Sequence, residues 1–491
     1  MPNSVDFSGK PFHFIGIGGI GMSALAYILA KRQLPVSGSD TRSSHITQKL
    51  QAIGAHIFDR QDANNLEFFL TKNTRQAAVE TEVTTGAIAQ TINKPAITNS
   101  KALPQVIYST AINTANLEYK AALELGCPVF HRSDLLAALI KEYSTIAVAG
   151  THGKTTTSSA IGYMLMQAGI DPTIVVGGEV VAWEGNARVG KSQYLVAEAD
   201  ESDGSLVKLS AAIGVVTNIE LDHPDHYADL EQVVTTFLTF ANRCEILVGC
   251  IDCETVANRL KPQISYSLQP TGADYTVSDI EYRADGTSAT VWERGEVLGQ
   301  LKLRLLGKHN LSNAIASVAV GRLLNLNFAT IAQSLENFVG ASRRFEMRGE
   351  AGGINFIDDY AHHPSEISAT LESARLQVKP KARVIAIFQP HRYSRTQTFL
   401  TEFAESFQNA DLVVITDIYS AGEQDLGLVS SQKLVELIAL QQQVTYQPSL
   451  NDVSKFLLKN LRPGDIALFL GAGNLNQIIP NVISAINQIS A

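Results

Sequence analysis

Cysteine is scarce: the chain of 491 residues holds only Cys127, Cys244, Cys250 and Cys253. So few thiols over such a length exclude a disulfide framework. Cys250 and Cys253 have C-x-x-C spacing, but no second pair or local histidine completes a zinc set, so neither receives a metal or redox role. Positive charge is also in deficit, with 39 Lys and Arg against 48 Asp and Glu, for a formal net charge of −9. That balance argues against a nucleic-acid or anionic-membrane partner, and any anionic ligand must be gripped in a local basic pocket. No segment reaches the roughly 18 uninterrupted apolar residues of a membrane-spanning helix. The stretch MPNSVDFSGKPF lacks a basic region followed by an apolar run. A cytoplasmic protein without membrane insertion is expected.

What is present is a globular composition, 45% hydrophobic and 18% charged. The length suits about three domains. Short apolar runs alternate with helical patterns throughout, so the expected class is α/β, with a Rossmann-like N-terminal domain over 1–142. A central P-loop ATPase-type domain with a parallel sheet is expected over 143–340, and a C-terminal Rossmann-like α/β domain over 341–491. Between 275 and 305 the rhythm changes to alternating strands around Asp285-Gly286 and Arg294-Gly295, which predicts a small antiparallel meander. The Thr-, Ala- and Gln-rich stretch near 75–104 has weak periodicity and is read as a long surface insertion.

The strongest chemical signal is IAVAGTHGKTTTSSAIGYML: an apolar strand, a turn with Gly150, Gly153, Lys154 and Thr155, then a helix. Backbone N–H groups of such a turn surround phosphate oxygens, the lysine bridges the outer phosphates and the threonine holds Mg²⁺. The spacing is a variant, because Val148 stands where the first glycine of the full motif belongs. Acidic strand ends follow, in AEADESDG with Glu198, Asp200, Glu201 and Asp203, and in NIELDHPDHY with Glu220, Asp222, His223, Asp225 and His226. Such loops on the phosphate-loop edge of an open sheet are where metal ligands belong, although acid-rich loops are also often merely solvated. Further along, His362 and His363 precede Pro364, and Arg392 and Arg395 sit three apart at a helix entry, where an arginine fork suits a carboxylate or phosphate. Near the start, GIGGIG is followed 19 residues after Gly21 by Asp40. Alone this is a weak dinucleotide fingerprint, and a nicotinamide dehydrogenase would use Asp40 on a ribose. Such an enzyme would leave GTHGKTTT and both acidic loops without work.

Taken in order, AGTHGKTTT, AEADESD, TNIELDHPDHY, GKHNLSNA, RRFE, DDYAHHPSE, QPHRYSRT and GAGN closely resemble the motifs of the Mur ligases of peptidoglycan synthesis. The resemblance spans nearly the whole chain and lies nearest the branch that joins L-alanine to UDP-N-acetylmuramate. It implies that ATP phosphorylates the lactyl carboxylate and that the amine of L-alanine attacks the acyl phosphate. Carried onto this sequence, Gly150, Thr151, His152, Gly153, Lys154, Thr155 and Thr156 would hold the ATP phosphates, with Mg²⁺ on Thr155, Glu198 and His223. His309 and Asn310 would lie by the adenine, Asp358 or Asp359 by the ribose, and Arg343 or Arg344 would reach the nucleotide. His362, Arg392 and Arg395 would line the acceptor pocket and, with Lys154, Glu198 and His223, carry catalysis. Gly18, Gly19 and Gly21 would admit the UDP-sugar diphosphate, with Asp40, Ser109 and Thr110 near its uridine or sugar. Several sister ligases use a carbamylated lysine after the DH motif, but no lysine occurs between Asp222 and Arg243. That favours the alanine-adding branch. The nearest rival is the recycling ligase that attaches a tripeptide to the same sugar nucleotide, and a regulatory nucleotide-binding protein is more distant. A monomer or homodimer is compatible with these motifs.

Overall fold

The computed structural model describes residues 4–69, 103–270, 272–379 and 382–490. The expected insertion near 75–104 lies outside these, apart from Leu103 and Pro104.

Three sheets follow one another along the chain. The first is fully parallel, with Phe12–Ile15 at its centre, Val36–Ser39 and His56–Phe58 to one side, and Gln105–Tyr108 and Val129–His131 to the other. All four residues of the central strand are buried, as expected for a strand covered on both faces. Helix Ile20–Lys31 starts directly from its carboxyl end, turning Met22, Leu25, Ile28 and Leu29 inward.

The second sheet has ten strands. Its core is Ser144–Ala149, flanked by Tyr194–Glu198 and Ala211–Val216, all parallel. Ala211–Val216 is followed outward by Cys244–Cys250 and Ile264–Tyr266. The meander forms at both expected turns, as Tyr275–Arg283, Gly286–Glu293 and Glu296–Leu303. It is not a separate sheet, because Tyr266 pairs with Tyr275 and carries the ladder straight on. On the other side lies a strand pair missed in the sequence, Thr173–Val180 with Gly185–Arg188. Helices Lys154–Gln167 and Lys308–Leu323 supply Ile161, Met164, Leu311 and Ile315 to one face of this sheet. The opposite face shares a continuous apolar core with the first sheet, where Leu139 and Phe14 join Ala147 and Phe237.

The third sheet has six strands in the order Glu346–Ala351, Ile354–Asp359, Ile466–Leu470, Val384–Phe388, Leu412–Ile415 and Val444–Tyr446. Only the first edge pair is antiparallel. In each sheet the parallel strands end on one edge, and all the motif loops leave from those edges. This is where ligands gather in open α/β sheets.

Candidate active site

The phosphate loop joins buried strand Ser144–Ala149 to helix Lys154–Gln167. Gly150 and Gly153 have φ of +143° and +82°, which side-chain-bearing residues rarely adopt. Contact closes the same positions: a Cβ on Gly150 would collide with the Thr217 hydroxyl, and one on Gly153 would lie 2.6 Å from Asn313 Oδ1. Gly153 caps the helix without a side-chain acceptor, which leaves its first N–H groups without a capping side chain, as a helix-start anion site requires. Lys154 Nζ donates to the carbonyls of Gly150 at 2.7 Å and Thr151 at 3.0 Å, and to Glu201 Oε1 at 2.8 Å. Burial alone would lower the lysine's pKa, but Glu201 and Asp200 hold it above its ordinary value. Burial raises Glu201 to about 7 against the pull of Lys154.

Thr155 Oγ1 donates to Glu198 Oε1 at 3.0 Å, and the Gly177 N–H donates to Glu198 Oε2 at 2.6 Å. A Cβ on Gly177 would lie 2.5 Å from Glu198 Oε1, and one on Gly178 would lie 3.0 Å from the Thr155 methyl. The missed strand Thr173–Val180 therefore keeps two glycines over a pair of hard oxygen donors, a cradle that fits Mg²⁺. The expected third ligand, His223, sits in the loop that follows the neighbouring strand Ala211–Val216, with φ of +56°. Its Nε2 is 3.5 Å from Asp222 Oδ2. Burial, opposed by Asp222 and seconded by Arg395, depresses its pKa, keeping the imidazole neutral as a ligand must be.

Among the described residues, the one trio of metal-type side chains with ligand atoms within 4.8 Å of one another is a different set: His152, Glu220 and His363. Its chemistry is that of an ion-pair hub. His152 lies 3.4 Å from Glu220 and 3.2 Å from Glu366. Burial opposes its charge, yet the two carboxylates push its pKa up to about 10. Glu366, which the sequence did not single out, is a C-terminal-domain residue, so this hub joins the phosphate loop to the third sheet. Its sequence signal was the capping box of helix Pro364–Gln377, where Glu366 pairs with His363.

A cleft opens beside the hub, with His152, Gly153, Thr156, His309, Asn310, Arg344 and Asp359 on its walls. The alternatives left open in the sequence separate here. Arg344 and Asp359 face the cleft, whereas Arg343 and Asp358 pair with each other at 3.3 Å away from it. Asp359 accepts the Phe345 and Ala361 N–H groups, each at 2.7 Å, and burial still raises it to about 6. Asn310 donates to the Leu306 carbonyl at 2.8 Å. Burial lowers His309 to about 4.

Arg392 and Arg395 do not converge on one point, as their spacing suggested. Arg392 Nη1 donates to Asp225 at 2.6 Å, while Arg395 Nε and Nη2 donate to Asp222 Oδ1 at 2.9 and 2.8 Å. Both acids belong to the central domain. Beside them, His362 Nδ1 lies 3.0 Å from the Tyr360 carbonyl oxygen. A carbonyl only accepts, so Nδ1 carries the proton and Nε2 keeps its lone pair. Burial pushes His362 down to about 4, so the ring is neutral near pH 7.

In the first domain, the Gly18 N–H donates to Asp40 Oδ2 at 2.8 Å. A Cβ on Gly18 would lie 2.7 Å from that oxygen. Gly19 caps helix Ile20–Lys31 with no side-chain acceptor, and Ser109 and Thr110 leave the neighbouring strand end half-buried and exposed. Arg132, also missed in the sequence, donates to Asp200 at 2.7 Å and Asp203 at 3.2 Å, and a Cβ on Gly21 would sit 3.4 Å from its Nη1. It links the glycine turn to the acidic loop beside Lys154.

Three family models match this chain in succession: "Mur ligase family, catalytic domain" over 11–144, "Mur ligase middle domain" over 148–321, and "Mur ligase, glutamate ligase domain" over 343–473. The chain belongs to the Mur ligase family. Among similar Mur ligases, the UDP-N-acetylmuramate–L-alanine ligase of Nostoc punctiforme is 68% identical over 490 residues, covering 99% of this chain and 98% of that protein. The protein of the same name from a second Nostoc is 65% identical over 496 residues, with the same coverage of both. The crystal structure of the UDP-N-acetylmuramate–alanine ligase of Thermotoga maritima superposes with a TM-score of 0.79 at 26% identity, over 98% of this chain and 100% of that one. A murein peptide ligase from Psychrobacter arcticus shares the fold, with a TM-score of 0.69 at 21% identity over 98% of this chain and all of its own. No helix among the described residues is long and apolar enough to cross a membrane.

Proposed function

We propose that this Mur ligase joins L-alanine to the lactyl carboxylate of UDP-N-acetylmuramate, consuming ATP and releasing ADP and phosphate. The observation that carries the reading is the near-full-length likeness to L-alanine ligases, up to 68% identity, on a chain whose motif loops meet at one junction. We assign 1–142 to the UDP-sugar, 143–340 to ATP and 341–491 to the amino acid.

A carboxylate is a poor acyl donor, and phosphorylation gives it a leaving group. The phosphate loop and Lys154 would hold the γ-phosphate in line with the lactyl oxygen, so the protein contributes chiefly position and charge. Thr155 and Glu198 would hold Mg²⁺, with His223 as the third ligand; the ion would neutralise charge developing on the transferred phosphoryl group. The adenosine would lie in the cleft lined by His309, Asn310, Arg344 and Asp359. Gly18, Gly19 and Gly21 would admit the UDP-sugar diphosphate at the helix start, beside Asp40, Ser109 and Thr110. Arg392 and Arg395 would present positive charge to the amino acid carboxylate. His362 Nε2, unprotonated near neutral pH, would accept a hydrogen bond from the amine that attacks the acyl phosphate.

Phosphate release from ATP, measured with UDP-N-acetylmuramate and either L-alanine or a tripeptide, tests the reading. Release that depends on L-alanine is expected. Release only with the tripeptide would transfer the chain to the recycling branch, and none with either would overturn ligase activity.

A further inference from the structure

The two arginines offered to the amino acid carboxylate each already hold a carboxylate of the chain itself, and the two pairs differ in kind. Arg395 and Asp222 are 2% and 5% exposed at their side chains. Arg395 places two N–H groups on one Asp222 oxygen, and its Nη1 lies 3.4 Å from His391 Nδ1. Breaking a buried, multiply bonded pair costs several kcal/mol, so substrate does not displace Asp222. Arg392 and Asp225 are 32% and 33% exposed and share a single bond of 2.6 Å. A half-exposed single-bond pair contributes at most about 1 kcal/mol, which an incoming carboxylate can replace. Glu423 also approaches Arg392, at 3.5 Å, but it is tied down by the Ser394 hydroxyl at 2.6 Å and the Ser394 N–H at 3.1 Å. Glu423 therefore belongs to the fixed surroundings of Arg392, whereas Asp225 arrives from the other domain.

We propose that Asp225 is an internal competitor for the amino acid: its carboxylate occupies Arg392 until the carboxylate of the incoming substrate takes its place. This rests on the ligase reading, which puts the amino acid carboxylate at Arg392. Asp225 then weakens capture of the amino acid, and it imposes a requirement for a free α-carboxylate, because only an anion restores the short charged hydrogen bond that Arg392 gives up with Asp225. Asp222, by contrast, is a positioning residue that keeps Arg395 in place whether or not substrate is bound.

The test is the steady-state kinetics of Asp225→Asn and Asp225→Glu in the full-length enzyme. Removing a competitor worth up to about 1 kcal/mol lowers KM for L-alanine roughly two- to fivefold. KM for ATP and for UDP-N-acetylmuramate stays within twofold of wild type, and Asp225→Glu returns KM for L-alanine towards the wild-type value. An unchanged or raised KM for L-alanine in Asp225→Asn, with wild type active, overturns the competitor alone. A fall in all three KM values would also overturn it, since that marks a general change in domain docking. Absence of L-alanine-dependent turnover in wild type overturns the ligase reading and the competitor together.

Discussion

At the residue scale, the phosphate loop concentrates its chemistry on Lys154, whose ammonium is directed by two loop carbonyls and Glu201. Lys154→Ala is expected to reduce ADP formation on the order of 10²–10³-fold, the usual cost of removing one preorganised positive donor. Calorimetric binding of UDP-N-acetylmuramate should stay close to wild type, because the proposed sugar site is formed by the first sheet. Loss of both would show that the first domain does not hold the sugar nucleotide. Lys154 and Thr155 were legible in the sequence because the motif is local, with the strand, turn and helix all within about twenty residues. Asp222 as the partner of Arg395 was not legible. The two lie 173 positions apart, and nothing in either motif tells a metal-binding aspartate from one committed to an ion pair.

At the scale of elements, two glycine turns occupy equivalent positions at the ends of central parallel strands, and the structure gives each a separate steric reason. Gly18 allows the Asp40 carboxylate to approach, and Gly150 combines a φ of +143° with contact to Thr217. Gly150→Ala should abolish ATP-dependent turnover and cost about 1–3 kcal/mol of stability in urea unfolding, the range for a side chain forced into such backbone. Gly18→Ala should do the converse, weakening UDP-sugar binding while ATP binding is retained. Equal effects of both variants on both ligands would contradict a division of ligands between the domains. The meander was readable from its Asp-Gly and Arg-Gly turns. Strand Thr173–Val180 was passed over because Gly177, Gly178 and Glu179 interrupt its apolar run. Those glycines are the feature that makes room over Thr155 and Glu198.

At the scale of the molecule, the candidate sites lie where domains meet, and several of the groups there are partly buried histidines. Burial lowers His309 and His362 to about 4 and His391 to about 3. Each binds a proton less readily folded than unfolded, so the unfolded chain gains protons first once the pH falls below about 6.5. The stability these neutral rings contribute is present above that value and lost progressively towards pH 4 and 3. His152 behaves oppositely: raised to about 10, its ion pairs contribute fully below about 6.5 and are lost as the pH climbs through 10. The melting temperature measured by calorimetry should therefore fall between pH 7 and pH 5, the three histidines outweighing His152 and the carboxyls of Glu201 and Asp359, which are raised to about 7 and about 6 and take up protons in the folded state over the same interval. A melting temperature that rises over this interval would mean that those rings are solvated in the native protein.

The sequence by itself determined the α/β class, the family, and the loops that carry chemistry, because each depends on short-range patterns: apolar alternation, glycine turns and polar strand ends. Tertiary structure alone decided which of those residues meet. It put Asp359 and Arg344 in the cleft and turned Asp358 and Arg343 away. It joined His152 to Glu366 and set Arg132 between the glycine turn and the acidic loop. These choices rest on how three sheet edges dock. Docking is governed by apolar cores and buried ion pairs between segments far apart in sequence, which no local pattern encodes.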